Sequence, residues 1–228
     1  MNATAVIVGI DEAGRAPLAG PVAAGACVIP HSLFRRRLSF NAWSPDKRKH
    51  DDEYLIADSK KLSPEQRERA FEWIVANCPH GIAMTDAATI DRIGILAATE
   101  RAMQLAIRTL SEFVTPTYVL VDGRDKFWFD YPKSSIIGGD GLEPCIAAAS
   151  ILAKVTRDRL MIEWAKEYPG YGFELHKGYP TPAHYDAIKK RGICTLHRQS
   201  FLKNILNPQS APMGRKRMTS TPVAATLF

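Results

Sequence analysis

Cysteine is scarce and scattered in this chain: Cys27, Cys78, Cys145 and Cys194 are spread along 228 residues. No two have the short spacing of a zinc site, and nothing resembles a disulfide framework, so all four read as small buried residues. Long apolar runs are missing too, and nothing approaches the length of a membrane-spanning helix. Met1 to Ala5 leads straight into a strand pattern, without the charged start, apolar stretch and cleavage site of a secretory signal; the expectation is a cytoplasmic protein. There is no internal repeat, and His176, His184 and His197 form no convincing metal-ligand cluster. Acid is absent from residues 204–228, which contain Arg215, Lys216 and Arg217 but no Asp or Glu.

What is present is the composition of a globular protein. Apolar residues make up 46% of the chain, and a mass of 25.3 kDa suffices for one substantial core. The expected organisation is one domain over residues 1–203 with a flexible basic tail at 204–228. The formal charge of +6 favours a polyanionic partner, and half of that excess lies in the tail. Arg35, Arg36, Arg37, Lys47, Arg48 and Lys49 form an earlier cluster. Charge alone does not separate DNA, RNA, ribosome and nuclease substrates.

Residues 5–10 and 22–29 have the pattern of neighbouring strands, joined by a loop that Gly14, Pro17, Gly20 and Pro21 oblige to be structured. Residues 31–57 read as an exposed insertion or long loop with room for one short helix. Ser63-Pro64-Glu65-Gln66 is a helix start with a capping box, and that helix runs to about Asn77. A second helical pattern covers roughly 91–111, a buried strand 118–121, and the longest helix 143–167, whose small apolar first half suits close packing on a sheet. Pro169 and Gly170 stop it; an aromatic, basic loop follows over 171–180, then a short helix at 182–190 and another after Arg198.

The chemistry is carried by acids. Val6-Ile7-Val8-Gly9-Ile10-Asp11-Glu12-Ala13-Gly14-Arg15 places two adjacent carboxylates at a strand-to-loop junction before a flexible corner. Their charges repel, and their removal from water is costly unless a cation compensates. Asp122 lies beyond the 118–121 strand, repeating the design, and Asp140 sits among glycines ahead of the long helix. Asp11, Glu12, Asp122 and Asp140 could bind two Mg²⁺ or Mn²⁺ ions roughly 3.5–4 Å apart, one orienting water and one stabilising a departing phosphate-ester oxygen. Taken singly, each acid has a structural alternative: Asp122 can form an Asx turn with Gly123, and Asp140 can cap the helix that follows.

These blocks resemble the ribonuclease HII family. The likeness extends through Asp58-Ser59-Lys60-Lys61-Leu62-Ser63, Val121-Asp122-Gly123, the run from Ala147 to Asp158, His176-Lys177-Gly178-Tyr179-Pro180-Thr181 and His197-Arg198-Gln199-Ser200-Phe201, in order, to about residue 203. It implies an α/β RNase H-like fold: a mixed central sheet flanked by helices, with a helical C-terminal extension. It also implies a metal-dependent endonuclease that cuts the RNA-containing strand of RNA:DNA hybrids and cuts duplex DNA on the 5′ side of an embedded ribonucleotide, leaving a 3′-hydroxyl and a 5′-phosphate. Asp11, Glu12, Asp122 and Asp140 match the family's catalytic carboxylates, and Asp158 is assigned a supporting role.

By the same resemblance, Gly14, Arg15 and the residue after them read the ribose 2′-hydroxyl through backbone groups. The usual third glycine is replaced by Ala16, which excludes glycine-only conformations and adds a methyl group. Tyr179 resembles the tyrosine that packs against the reacting sugar; its other role is an aromatic lid over the loop. Lys60, Lys61 and Lys177 are suited to phosphate contact. Ser150 and Lys154 share a helix face with Asp158, so Ser150 either contacts phosphate or caps a turn, and Lys154 either faces the duplex or pairs with Asp158. Arg198 either contacts phosphate or packs the terminal helix. The expected partners are RNA:DNA hybrid and ribonucleotide-containing duplex DNA, with room for a replication or repair protein at the tail and monomeric action. The competing reading is a catalytically silent nucleic-acid-binding protein with the same shell.

Overall fold

The computed structural model describes residues 5–34, 38–40 and 54–206. The basic clusters at 35–37 and 47–49, much of the 31–57 segment and the tail from 208 onward lie outside the described residues. Five strands form the central sheet in the order β5 (His80–Thr85), β2 (Val22–Cys27), β1 (Ile7–Ala13), β6 (Tyr118–Asp122), β7 (Lys133–Ile136). β2 is antiparallel to both β1 and β5, while β6 is parallel to both β1 and β7. The sheet is therefore mixed. β1 runs further than the sequence suggests: Asp11 and Glu12 pair with Gly25 and Ala24 instead of marking a junction to loop. The small, wholly buried run Val22-Ala23-Ala24-Gly25-Ala26-Cys27 keeps the ladder going alongside them.

Residues paired across a ladder share a face, and neighbours along a strand alternate. Gly9, Asp11, Gly25, Leu120 and Asp122 therefore face one side of the sheet. Helix α5 (Pro144–Glu167) lies on that side, so close that a Cβ on Gly9 would sit 2.2 Å from the Cys145 carbonyl carbon and one on Gly25 2.3 Å from the Ala149 oxygen. The opposite face carries Ile10, Ala26 and Gly81, where a Cβ on Gly81 would meet the Ala106 oxygen at 2.1 Å. That oxygen belongs to α4 (Ile95–Leu110), which gives a helix–sheet–helix sandwich. Ile146, Ile151 and Leu152 on α5 are fully buried against it, each contributing about 1.5–3 kcal/mol.

Helix α2 (Pro64–Asn77) starts at the expected capping box: Ser63 Oγ accepts from the Gln66 N–H at 3.2 Å and Gln66 returns the bond to the Ser63 N–H at 2.8 Å. The single helix expected over 91–111 is two helices. Asp86 caps α3 (Ala87–Ile93) through the Thr89 N–H, and Gly94, at φ 82°, breaks the chain before α4. The two edge strands, β5 and β7, are additions to the expected elements; His80-Gly81-Ile82-Ala83-Met84-Thr85 and Lys133-Ser134-Ser135-Ile136 have little of the β-branched alternation that marks a strand. Within 31–57, α1 (His31–Phe34) is the short helix, but β3 (Leu38–Phe40) and β4 (Tyr54–Ile56) form a parallel pair where a loop is expected. The described chain ends in α7 (Pro182–Arg191) and α8 (Gln199–Leu206). No helix among the described residues is long and apolar enough to cross a membrane.

The aromatic loop contains one helical turn, α6 (Phe173–His176), and is held by its histidines. Phe173 stacks on Tyr171 with ring centroids 5.3 Å apart and receives His176 and His184 edge-on. One proton assignment satisfies the network. His176 Nδ1 accepts from the Gly178 N–H, so its Nε2 donates to the Tyr171 carbonyl. His184 Nδ1 donates to the Tyr179 carbonyl, and its Nε2 accepts from His197 Nε2 at 3.2 Å. His197 Nδ1 then accepts from the Cys194 N–H at 2.9 Å. That assignment leaves His184 and His197 neutral. Burial, with the neighbouring His184, holds His197 down at about 4, and burial also lowers His184.

Two outcomes follow from this packing. Between the ordinary value of 6.5 and about 4, the unfolded chain takes up a proton at His197 that the folded chain refuses. Stability contributed by this group is complete above 6.5, is lost as pH falls through that window and levels off below about 4, a change of roughly 3 kcal/mol. Urea unfolding at several pH values should give a shallower slope in His197→Asn; an unchanged slope would remove His197 as its source. Gly9→Ala should lower stability by about 1–3 kcal/mol or more through overpacking against α5, read as a lower urea midpoint.

Candidate active site

Three of the four expected acids gather on the α5 side of the sheet. Asp11 is 4% exposed and Asp140 6%. Asp122 closes β6, and its Oδ1 lies 3.4 Å from the Asp140 N–H, which donates to it. Asp140 sits in the 3₁₀ turn Gly139–Gly141. The helix-capping alternative for Asp140 is not realised, since the N-cap of α5 is Glu143, without a side-chain cap; the Gly123 N–H donates to the Ile136 carbonyl. Ser150 on α5 hydrogen-bonds Asp11 and stands 2.9 Å from Ser59 Oγ.

Glu12, one residue on, alternates to the other face. There it accepts from Arg15 at 3.3 Å, and Arg15 also donates to Asp125 at 2.6 Å. Strand alternation thus divides the adjacent pair, and among the described residues no three His, Cys, Asp or Glu side chains are gathered closely enough to hold a metal ion as they stand. Electrostatics still binds the acids into one group. Burial, then the charges of Glu12 and Asp122, push the Asp11 carboxyl well above the usual range, with Ser150 easing the shift. Burial raises Glu12 against the pull of Arg15. Burial and the neighbouring Asp58 and Asp122 raise Asp140, while Lys60 opposes. Such an all-oxygen donor set, short of positive charge, has the chemistry of a hard-cation site.

Asp58 and Asp125 are additions to the expected set. Asp58 touches Asp140 and accepts the Lys60 N–H at 2.9 Å; its place at the head of Asp58-Ser59-Lys60-Lys61 is a readable signal. Asp125 carries no such signal, because only the fold brings it to Arg15.

The corner after β1 is held from inside. Gly14, at φ 93°, has no room for a side chain: a Cβ would lie 2.1 Å from Arg157 Nε. Arg198 donates to the carbonyls of Gly14, Arg15 and Gly20 at 2.7, 2.9 and 2.9 Å. It is fully buried, and these bonds hold the corner itself, a role different from both expected ones, phosphate contact and packing of the terminal helix. Ala16 is exposed and keeps a negative φ; among the described residues only Lys177, at φ 52°, has positive φ without being glycine. The glycine-only conformation is therefore not demanded at Ala16.

Tyr179 stands beside this corner, with Lys154 Nζ 5.5 Å and Arg157 Cζ 5.6 Å from its ring centroid. Lys154 also pairs with Asp158 at 2.9 Å, which gives the supporting acid a partner. Lys60 faces Asp140 at 3.6 Å, and Lys61 faces Asp58 at 3.8 Å; both lysines are largely exposed. Lys177 Nζ bonds the Glu174 carbonyl. Lys154, Lys177 and Tyr179 line an open cavity of about 410 Å³ together with Pro64, Arg67 and Glu68 of α2. The acids and the aromatic, basic groups are thus separate clusters joined by α5, which supplies Ser150 to one and Lys154 to the other.

Comparison with known proteins gives this arrangement a context. The chain is 44% identical over 202 residues to ribonuclease HII of Acetivibrio thermocellus, covering 88% of this chain and 71% of the relative. It is 45% identical over 197 residues to ribonuclease HII of Coxiella burnetii, covering 86% and 88%. The fold is shared with the crystal structure of ribonuclease H2 from Pyrococcus horikoshii OT3, at a TM-score of 0.62 and 24% identity over 85% of this chain and 92% of that one. It is shared also with a chain in the PCNA:RNase HII complex from Archaeoglobus fulgidus, at a TM-score of 0.64 and 20% identity over 97% and 98%. The description "Ribonuclease HII" attaches to the family model that matches residues 8–204, and with the mixed sheet and the acids on its central strands in place, the chain belongs to the ribonuclease HII family.

Proposed function

We propose that Asp11, Glu12, Asp122 and Asp140 are the catalytic carboxylates of this endonuclease and that Gly14, Arg15, Ala16, Lys60, Lys61, Ser150, Lys154, Lys177 and Tyr179 hold its substrate. The reaction is endonucleolytic hydrolysis of the RNA-containing strand in RNA:DNA hybrids and at ribonucleotides embedded in duplex DNA. The observation that carries the residue assignment is the gathering of Asp11, Asp122 and Asp140 on the α5 side of the central strands, next to a backbone corner fixed by buried guanidinium groups. Burial with neighbouring negative charge raises Asp11 and Asp140, which a cation would relieve, and an all-oxygen set suits Mg²⁺ or Mn²⁺ better than a transition metal that prefers sulfur. Held by these four carboxylates, two such ions would supply activation of water and neutralisation of charge on the phosphate.

The chain's own groups do the rest. Backbone N–H and C=O groups at Gly14–Ala16 meet the 2′-hydroxyl, the one group that separates RNA from DNA at the reacting nucleotide. Tyr179 packs its ring on the adjacent sugar, and the lysines hold phosphates, which positions the duplex without reading sequence. Ser150 keeps Asp11 oriented. Incision on the 5′ side of the ribonucleotide then releases the upstream strand with a 3′-hydroxyl and leaves the 5′-phosphate on the ribonucleotide. Action as a monomer in the cytoplasm, with a repair or replication protein at the tail, completes the reading.

Asp122→Asn should lower turnover at least about 100-fold, the scale of one strong electrostatic contact to the transition state, while duplex binding in EDTA persists; normal metal-dependent turnover would remove Asp122 from the set. Tyr179→Ala should slow cleavage at a single ribonucleotide about tenfold or more, the scale of losing one stacking contact, with little change in affinity for ordinary duplex DNA. Equal losses in both assays would make the tyrosine a lid over the loop.

A further inference from the structure

Arg157 is fully buried in α5, and it joins two segments distant in sequence. Its Nε donates to the Pro21 carbonyl at 2.9 Å and its Nη2 to the Ala19 carbonyl at 3.1 Å, both in the loop that follows the Gly14 corner. Its Nη1 donates to the Lys177 carbonyl at 3.0 Å, and its guanidinium lies 5.6 Å from the Tyr179 ring centroid. The Gly14 Cα packs directly on its side chain, so that any Cβ there would collide with Nε and Cδ. Lys177 holds a left-handed backbone at φ 52°, a conformation that persists only where neighbours over-determine it. The Arg157 bond to its carbonyl is one of those constraints.

A buried guanidinium is a costly way to fill space, since an apolar side chain of similar volume would avoid its desolvation. What an apolar residue would lack is the planar fork, which reaches three carbonyls in fixed directions. The hydrogen bond from Leu18 N–H to the Gly178 carbonyl, at 2.8 Å, runs between the same two segments. We infer that Arg157 is a positioning residue that makes the Gly14–Ala16 corner and Tyr179 a single rigid reader of the RNA–DNA junction. This rests on the substrate roles proposed above for the corner and for Tyr179. Its consequence is that hydroxyl recognition and sugar packing fail together when the fork is lost, while the acids, which Arg157 does not touch, keep their places.

The test is a pair of double-mutant cycles, with kcat and KM measured on a duplex containing one ribonucleotide and on a continuous hybrid. Arg157→Lys should cut kcat on the single-ribonucleotide duplex about tenfold or more, with KM within about threefold and a smaller loss on the hybrid, whose reacting nucleotide meets the corner but offers no RNA–DNA junction to Tyr179. In a Tyr179→Ala background the same substitution should cost less than about twofold, because the coupled unit is already broken, whereas with Lys60→Ala the two losses should multiply. Losses that multiply in the Tyr179→Ala background would overturn the coupling alone. A Tyr179→Ala protein that cuts the single-ribonucleotide duplex normally would overturn both the tyrosine's proposed role and the coupling built on it. Equal loss on both substrates, with a lowered Tm, would reduce Arg157 to a support of the fold. Should Arg157→Lys fail to fold, Arg157→Gln, which keeps an amide donor without the charge, takes its place in both cycles, and the same results uphold or overturn the coupling.

Discussion

The approach of α5 to the sheet is the constraint on which the rest depends. Two positions without side chains, Gly9 on β1 and Gly25 on β2, let the helix backbone come to rest against the strands. That contact sets both the height and the rotation of a 24-residue helix over the sheet. Ser150 then reaches Asp11 and Ser59, Lys154 reaches Asp158 and Tyr179, and Arg157 reaches the loop carbonyls. These groups recur along one helix at spacings of three and four residues, so one rigid element distributes partners to the acids and to the basic, aromatic side. Interiors packed this densely transmit a displacement instead of absorbing it. An error in seating α5 would therefore be felt at every one of these contacts.

Against that rigid frame stands an electrostatic imbalance. Asp11, Asp122, Asp140 and Asp58 crowd the α5 side, with Lys60 the neighbouring cation that opposes their charge at Asp140. Glu12 has a different neighbourhood, since Arg15 and Asp125 share its face. The adjacent acids of β1 thus have unequal surroundings: one is held by a hydroxyl and a backbone N–H, the other by a guanidinium that is itself shared. Crowded, buried carboxylates of this kind cost the fold stability wherever their charge is not offset.

Much of this is legible in the sequence, for identifiable reasons. The capping box at Ser63 and the small-residue face of the long helix are local signals with counterparts in the structure, and the acidic pair is there too, though inside the strand instead of beyond its end. The mixed sheet is implied by the family resemblance. The edge strands β5 and β7 are hidden because their residues lack the alternation that half-buried strands display. Gly94 is masked within a helical pattern because the apolar residues on both sides keep a helical period across it. Asp125 is invisible, since nothing in its neighbourhood announces that β6 and β1 lie side by side. The two buried arginines are the largest gap: a charged residue in a basic chain reads as surface, and only the fold reveals that Arg157 and Arg198 face inward onto carbonyls.

Gly14 and Ala16 stand two residues apart in the same corner, yet they are governed from opposite directions. The first is dictated by the interior, where Arg157 occupies the space that any side chain would need. The second is exposed and has no positive φ, so its backbone does not require glycine. Substitution along this corner therefore has an open address at position 16 and a closed one at 14. Packing fixes one residue and leaves the next but one to the surface, so the corner can diversify outward without disturbing what holds it in place.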